Sequence, residues 1–231
     1  MQASAERKIV GVAAAVLALS IAVIFGLVLA SPYLMAQKTA APPRSSLSKT
    51  QIADMLKEGE AALEWRNEDY AKALKIYTTL AEQGVPQAQY HLGQLYADGK
   101  AVPQDYETAA MWYRRAADQG NAAAMDALGG AIFMGEGVDR DLDEMARLYQ
   151  KAAALGHTGA KMHLAVCYDQ GWGVNRDWVM AYVWFSAVVQ DEGNGSALAE
   201  MAAASSKELW SKMTPQERSQ AKDKAAAMKL D

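Results

Sequence analysis

Apolar residues in the middle of this chain recur at helical spacing, and the helical segments themselves recur every 36 residues. Between Ala88 and Ala97, the residues Ala88, Leu92, Leu95 and Tyr96 fall on one face of a predicted helix. Gly99 suits the left-handed end of that helix, because glycine has no Cβ to clash there. Val102 plugs the following turn, and Asp105 stands where a cap accepts a backbone N–H bond from the next helix. Ala109, Trp112, Tyr113, Ala116 and Ala117 form the apolar face of that second helix, which Gly120 ends.

The same grammar returns without a gap. Gly84, Gly120 and Gly156 keep the interval, as do Ala88, Ala124 and Ala160; Leu92, Leu128 and Leu164; Gly99, Gly135 and Gly171; and Asp105, Asp141 and Asp177. Asp141 with Glu144 has the spacing of a capping box. Upstream, Asp69, Ala73, Ile76, Tyr77, Ala81 and Gly84 match a second helix, and Gln51 to Arg66 supply a degenerate first one. A fixed period of this size predicts a solenoid, in which no unit can bury its apolar face alone. After the break at Gly193-Asn194-Gly195, Ala197 to Lys212 reads as a helix. Thr214-Pro215-Gln216-Glu217 then starts a last one, running to about Met228 as a polar-faced cap.

The N-terminus has a different pattern. Ile9 to Ala30 is an apolar run of 22 residues behind Arg7 and Lys8. At a rise of about 1.5 Å per residue it is long enough to cross a bilayer, and longer than the apolar part of an ordinary signal peptide. Residues 9–30 are therefore expected to be an uncleaved transmembrane signal anchor, with cleavage and release into the periplasm as the alternative. Arg7 and Lys8 would hold residues 1–8 in the cytoplasm. Residues 31–50 read as a linker, with Pro42-Pro43 and several Ser and Thr. The expected organisation continues with a repeat solenoid over 51–196 and capping helices over 197–231.

AQYHLGQLYADGKAVPQDYETAAMWYRRAADQGNAAAM and AKMHLAVCYDQGWGVNRDWVMAYVWFSAVV resemble Sel1-like repeats, an α/α family related to TPR repeats. AALEWRNEDYAKALKIYTTLAEQG is similar to the first unit of many bacterial Sel1-like proteins, and LWSKMTPQERSQAKDKA to their C-terminal helix. The resemblance runs from about Leu56 to Ala225. It departs from the pattern at Ala165, where Gly93 and Gly129 hold glycine, and at Gly130 and Met145, which are expected to loosen the middle unit. It departs again near Asp191 to Gly193, where an extra residue shifts the register. The resemblance implies an all-α, α/α solenoid of TPR-like helix pairs, here preceded by one N-terminal transmembrane helix. It also implies a concave face and protein–protein interaction, often in cell-envelope complexes.

Composition narrows the chemistry. The net charge is -4 and no basic stripe stands out, which disfavours nucleic acid as a partner. The single cysteine, Cys167, lies in an apolar helical pattern and reads as core. His91 and His163 occupy one repeat position two units apart, too far to share a metal, and His157 falls in a loop. No nucleophile constellation or phosphate loop appears, so neither catalysis nor a cofactor is expected. Trp112 and Trp184 share a position with Leu148 and read as core. Trp172 corresponds to Lys100 and Glu136, so it is expected to be an exposed anchor for a partner, unless it packs on Trp178.

The leading expectation is a non-enzymatic scaffold in the inner membrane with its repeats in the periplasm, binding a protein partner near Tyr90, Gln94, Arg114, Arg115 and Trp172. One alternative is an accessory subunit or assembly factor that docks into an inner-membrane complex through residues 9–30. A cell-wall enzyme or peptidoglycan binder is a more distant one.

Overall fold

A computed structural model describes residues 47–64, 68–193 and 195–228. The cytoplasmic segment 1–8, the anchor 9–30 and most of the linker 31–50 lie outside the described residues. Among the described residues no helix is long and apolar enough to cross a membrane.

Ten helices follow one another in the described chain: α1 (Lys49–Leu63), α2 (Tyr70–Glu82), α3 (Pro86–Asp98), α4 (Tyr106–Asp118), α5 (Ala122–Met134), α6 (Leu142–Ala154), α7 (Thr158–Gln170), α8 (Trp178–Glu192), α9 (Ala197–Lys212) and α10 (Pro215–Ala227). All belong to one unit, Ser48–Asp231. From α1 to α9 each helix packs on the next in sequence, whereas α10 turns back onto α8. This is the pattern of stacked helix pairs, with α1, α3, α5 and α7 as the first helices and α2, α4, α6 and α8 as the second.

The helix ends fall where capping chemistry requires. Asp69, Asp105, Asp141 and Asp177 each accept a backbone N–H bond at the start of a second helix. Thr214 and Glu217 form a reciprocal capping box on α10, as do Ser48 and Gln51 on α1. The expected box at Asp141 forms only in half. Asp141 caps Glu144 N at 2.9 Å, but the Glu144 carboxylate turns to Arg114 on α4. A charge–charge contact across helices takes the place of the local one. His157 is not a bare loop residue: its Nδ1 accepts the Ala160 N–H at 3.1 Å and so caps α7.

Alanines line the seams between helices. Ala73, Ala88, Ala116, Ala124, Ala152, Ala160 and Ala181 are all fully buried, which lets neighbouring helices approach closely. Leu92, Leu128, Ile132 and Leu164 fill the space between them. Met145 does not loosen the middle unit, because it is 1% exposed in the place of Ala109 and Ala181. Trp112 and Trp184 are only half-buried, at the margin of the core. α10 buries Ala221 alone, so its outer face stays polar as an end cap requires.

Candidate interaction surface

The expected binding residues fall into three places. Tyr90 and Gln94 lie one turn apart on α3, where Gln94 Nε2 donates to the Tyr90 hydroxyl at 2.9 Å. Gln94 Oε1 also meets His91 Nδ1 at 2.9 Å, and the His91 ring stacks on Tyr77 of α2 with centroids 4.8 Å apart. Burial pushes the Tyr90 hydroxyl up and the His91 imidazole down from their usual ranges, so both favour the neutral form. The side-chain bond to Gln94 opposes each shift without overcoming it.

Arg114 and Arg115 lie on α4. Arg114 pairs with Glu144 of α6 at 2.5 Å, and the Arg115 guanidinium lies 4.5 Å from the centre of the Trp112 ring. Arg114 of α4 and Glu144, Arg147 and Lys151 of α6 line a cleft of about 460 Å³. Both arginines are held by neighbours in their own solenoid, so they offer a charged surface rather than free arms.

Trp172 is not a freely exposed anchor. It is half-buried, with its ring against Phe133 of α5 at 4.9 Å between centroids and 36° between planes. Gly171 and Gly173 on either side take left-handed backbone, at φ +76° and +65°, which folds the loop back over the preceding unit. The partner ring is therefore Phe133, not Trp178. The Arg140 guanidinium lies 5.2 Å from the Phe133 ring centre.

This aromatic pair edges an apolar cleft of about 310 Å³ between α5 and α7, floored by Met145, Tyr149 and Cys167, with Val166 and His163 along it. One repeat earlier a second apolar cleft, of about 300 Å³, lies between α3 and α5 over Ala109, Ala110 and Tyr113. Gly130 and Met134 line both. Met134 is 66% exposed, the highest value among the large apolar side chains of the described residues that remain open to solvent. His163 hydrogen-bonds Asp126 at 2.7 Å beside the first of these clefts. Burial pushes the Cys167 thiol up to about 11, so it is a poor nucleophile. Among the described residues no group of three or more His, Cys, Asp or Glu is placed to hold a metal ion.

Sequence reasoning missed Phe133, Gly130 and Met134 as surface-forming residues. A signal existed for Met134. Its equivalents at the 36-residue interval are Asp98 and Gln170, so an apolar side chain stands where other units place polar ones.

The Sel1 repeat pattern matches the chain four times, over residues 50–85, 86–121, 122–157 and 159–187. A Sel1 repeat protein from Oxalobacter formigenes is similar at 27% identity over 58% of this chain and 97% of its own, with a TM-score of 0.51. A protective antigen present in uropathogenic Escherichia coli strains, displaying an SLR fold, is similar at 24% identity over 76% of this chain, with a TM-score of 0.49. The chain spans 47% of that antigen's length, about half. No curated protein matches the chain.

Proposed function

Because the chain belongs to the Sel1 repeat family, we propose that it is a non-enzymatic scaffold that binds a protein partner on the surface of its stacked helix pairs. Sel1 repeat proteins generally mediate protein–protein interaction, and the fold is typically non-catalytic. The observation that carries the reading to this chain is the run of apolar clefts between successive first helices, edged by Phe133, Trp172 and the exposed Met134. Solvent-open apolar surface of this kind marks an interaction site. The helices that line the clefts are fixed by their neighbours, so little entropy is lost when a partner docks.

In this reading residues 9–30 anchor the protein in the inner membrane, and the repeats work in the periplasm on an envelope partner. The 22-residue apolar run behind Arg7 and Lys8 supports that placement. Tyr90, Gln94, Arg114, Arg115 and Trp172 would contribute from three patches rather than one.

In-cell crosslinking of the C-terminally tagged full-length protein, read by mass spectrometry of the membrane fraction, tests this. A dominant partner crosslinked to the solenoid supports the scaffold. Crosslinks confined to residues 9–30 would replace it with a subunit docked through its anchor.

A further inference from the structure

α5 contains two adjacent glycines, and only one of them is required by packing. Gly129 lies against the ring of Tyr149, where a Cβ would stand 2.6 Å from Cε1. Gly130 is different, because a Cβ built there meets nothing within 4 Å. Glycine inside a helix costs about 1 kcal/mol relative to alanine, and no contact within the solenoid offsets that cost here. The equivalent positions, Gln94 on α3 and Val166 on α7, both carry side chains. Gly130 also lies at the meeting point of two apolar clefts, lining both together with Met134.

Resting on the scaffold reading, we infer that Gly130 keeps the two clefts open to each other as one groove, which receives an extended segment of the partner polypeptide. An extended backbone needs less room over the open space at Gly130 than a helix, which is about 10 Å across with its side chains. The clefts lie on either side of α5, one toward α3 and the other toward α7, so they are one repeat apart. In a polyproline-like chain, residues three apart return to the same side after about 9 Å. One apolar side chain would then enter each cleft, over Tyr113 and over Tyr149. Among the described residues Glu136 is the only carboxylate lining either cleft, and it forms no ion pair. No lysine or arginine lines the clefts, and the Arg140 guanidinium lies over the Phe133 ring at the edge of the other cleft. The segment is therefore expected to carry a lysine or arginine beside its apolar pair.

The test is display of a random peptide library against the full chain in detergent, followed by dissociation constants for the enriched peptides. Wild type, Gly130→Leu and Gly130→Ala would be compared, each with a melting curve. The expected result is enrichment of peptides with two apolar residues three apart next to a lysine or arginine. Gly130→Leu should weaken them tenfold or more and Gly130→Ala less, with melting temperatures at or above wild type. Enriched peptides that bind Gly130→Leu undiminished would overturn the groove and leave the scaffold standing. Should Gly130→Leu fail to fold, undiminished binding to Gly130→Ala has the same meaning. No enrichment over detergent alone overturns the groove, and the crosslinking experiment then decides the scaffold separately.

Discussion

Gly93 of α3 lies directly beneath Tyr113 of α4, so close that a Cβ on Gly93 would stand 2.6 Å from Tyr113 Cε1. The same fit recurs between Gly129 and Tyr149 at 2.6 Å, and between Gly59 and Tyr77 at 2.8 Å. Each pair belongs to one repeat, and each tyrosine ring replaces the missing side chain of the first helix. In the last repeat the ring is Phe185, and the first-helix residue is Ala165, both buried. The tyrosine and glycine thus act as one unit that sets how closely the two helices of a repeat approach.

Alanine at the two neighbouring glycines of α5 should have opposite effects. Gly129→Ala forces the Tyr149 ring aside and should cost about 1–3 kcal/mol, as overpacking does. Gly130→Ala meets open space and should add about 0.5–1 kcal/mol through helix propensity. Urea titration of both variants checks the sign of each change.

Ala101 stands in left-handed backbone at φ +64°, where the two later repeats use Gly137 and Gly173. A residue with a Cβ is strained there by about 1–2 kcal/mol. Ala101→Gly should therefore raise the melting temperature, with a net gain of about 1 kcal/mol after glycine's larger unfolded-state entropy is counted. Gly173→Ala should cost more than about 2 kcal/mol of stability, because the new Cβ would also run into the Leu142 carbonyl.

Phe133 and Trp172 should be energetically coupled. A double-mutant cycle with Phe133→Ala and Trp172→Ala is expected to give about 0.5–1.5 kcal/mol, the range for aromatic pairs. A coupling near zero would mean that the two rings contribute independently and Trp172 is free to serve a partner.

Stability should fall as the pH drops from 7 toward 5, in part through His91. Its folded pKa lies below the unfolded value of about 6.5 because burial disfavours the cation. Between those two values the unfolded chain binds more protons than the folded one, so stability is complete above the unfolded pKa and is lost as the pH falls. His91→Gln should flatten the pH dependence of the urea midpoint over that window.

Cys167 should be inert to alkylation while the chain is folded. Burial raises its pKa to about 11, which leaves little thiolate at pH 8. Iodoacetamide labelling followed by mass spectrometry should be slow in buffer and fast in denaturant. Equal rates would place the thiol in open contact with solvent.

The 36-residue interval determined the repeat architecture and the helix pairs, and local cap and stop residues determined most of the helix ends. Those features depend on hydrogen bonds between residues a few positions apart, so Asp105, Gly99, Thr214 and Pro215 could be read directly as caps and stops. Stacking decided the rest. Trp172 rests on Phe133, Glu144 turns from its own helix to Arg114, and the clefts on either side of Gly130 open between different repeats. The period shows which residues are equivalent, but these contacts join residues at inequivalent positions in neighbouring units. Their partners follow from how closely the helices pack, and that distance is set by fits such as Gly93 under Tyr113.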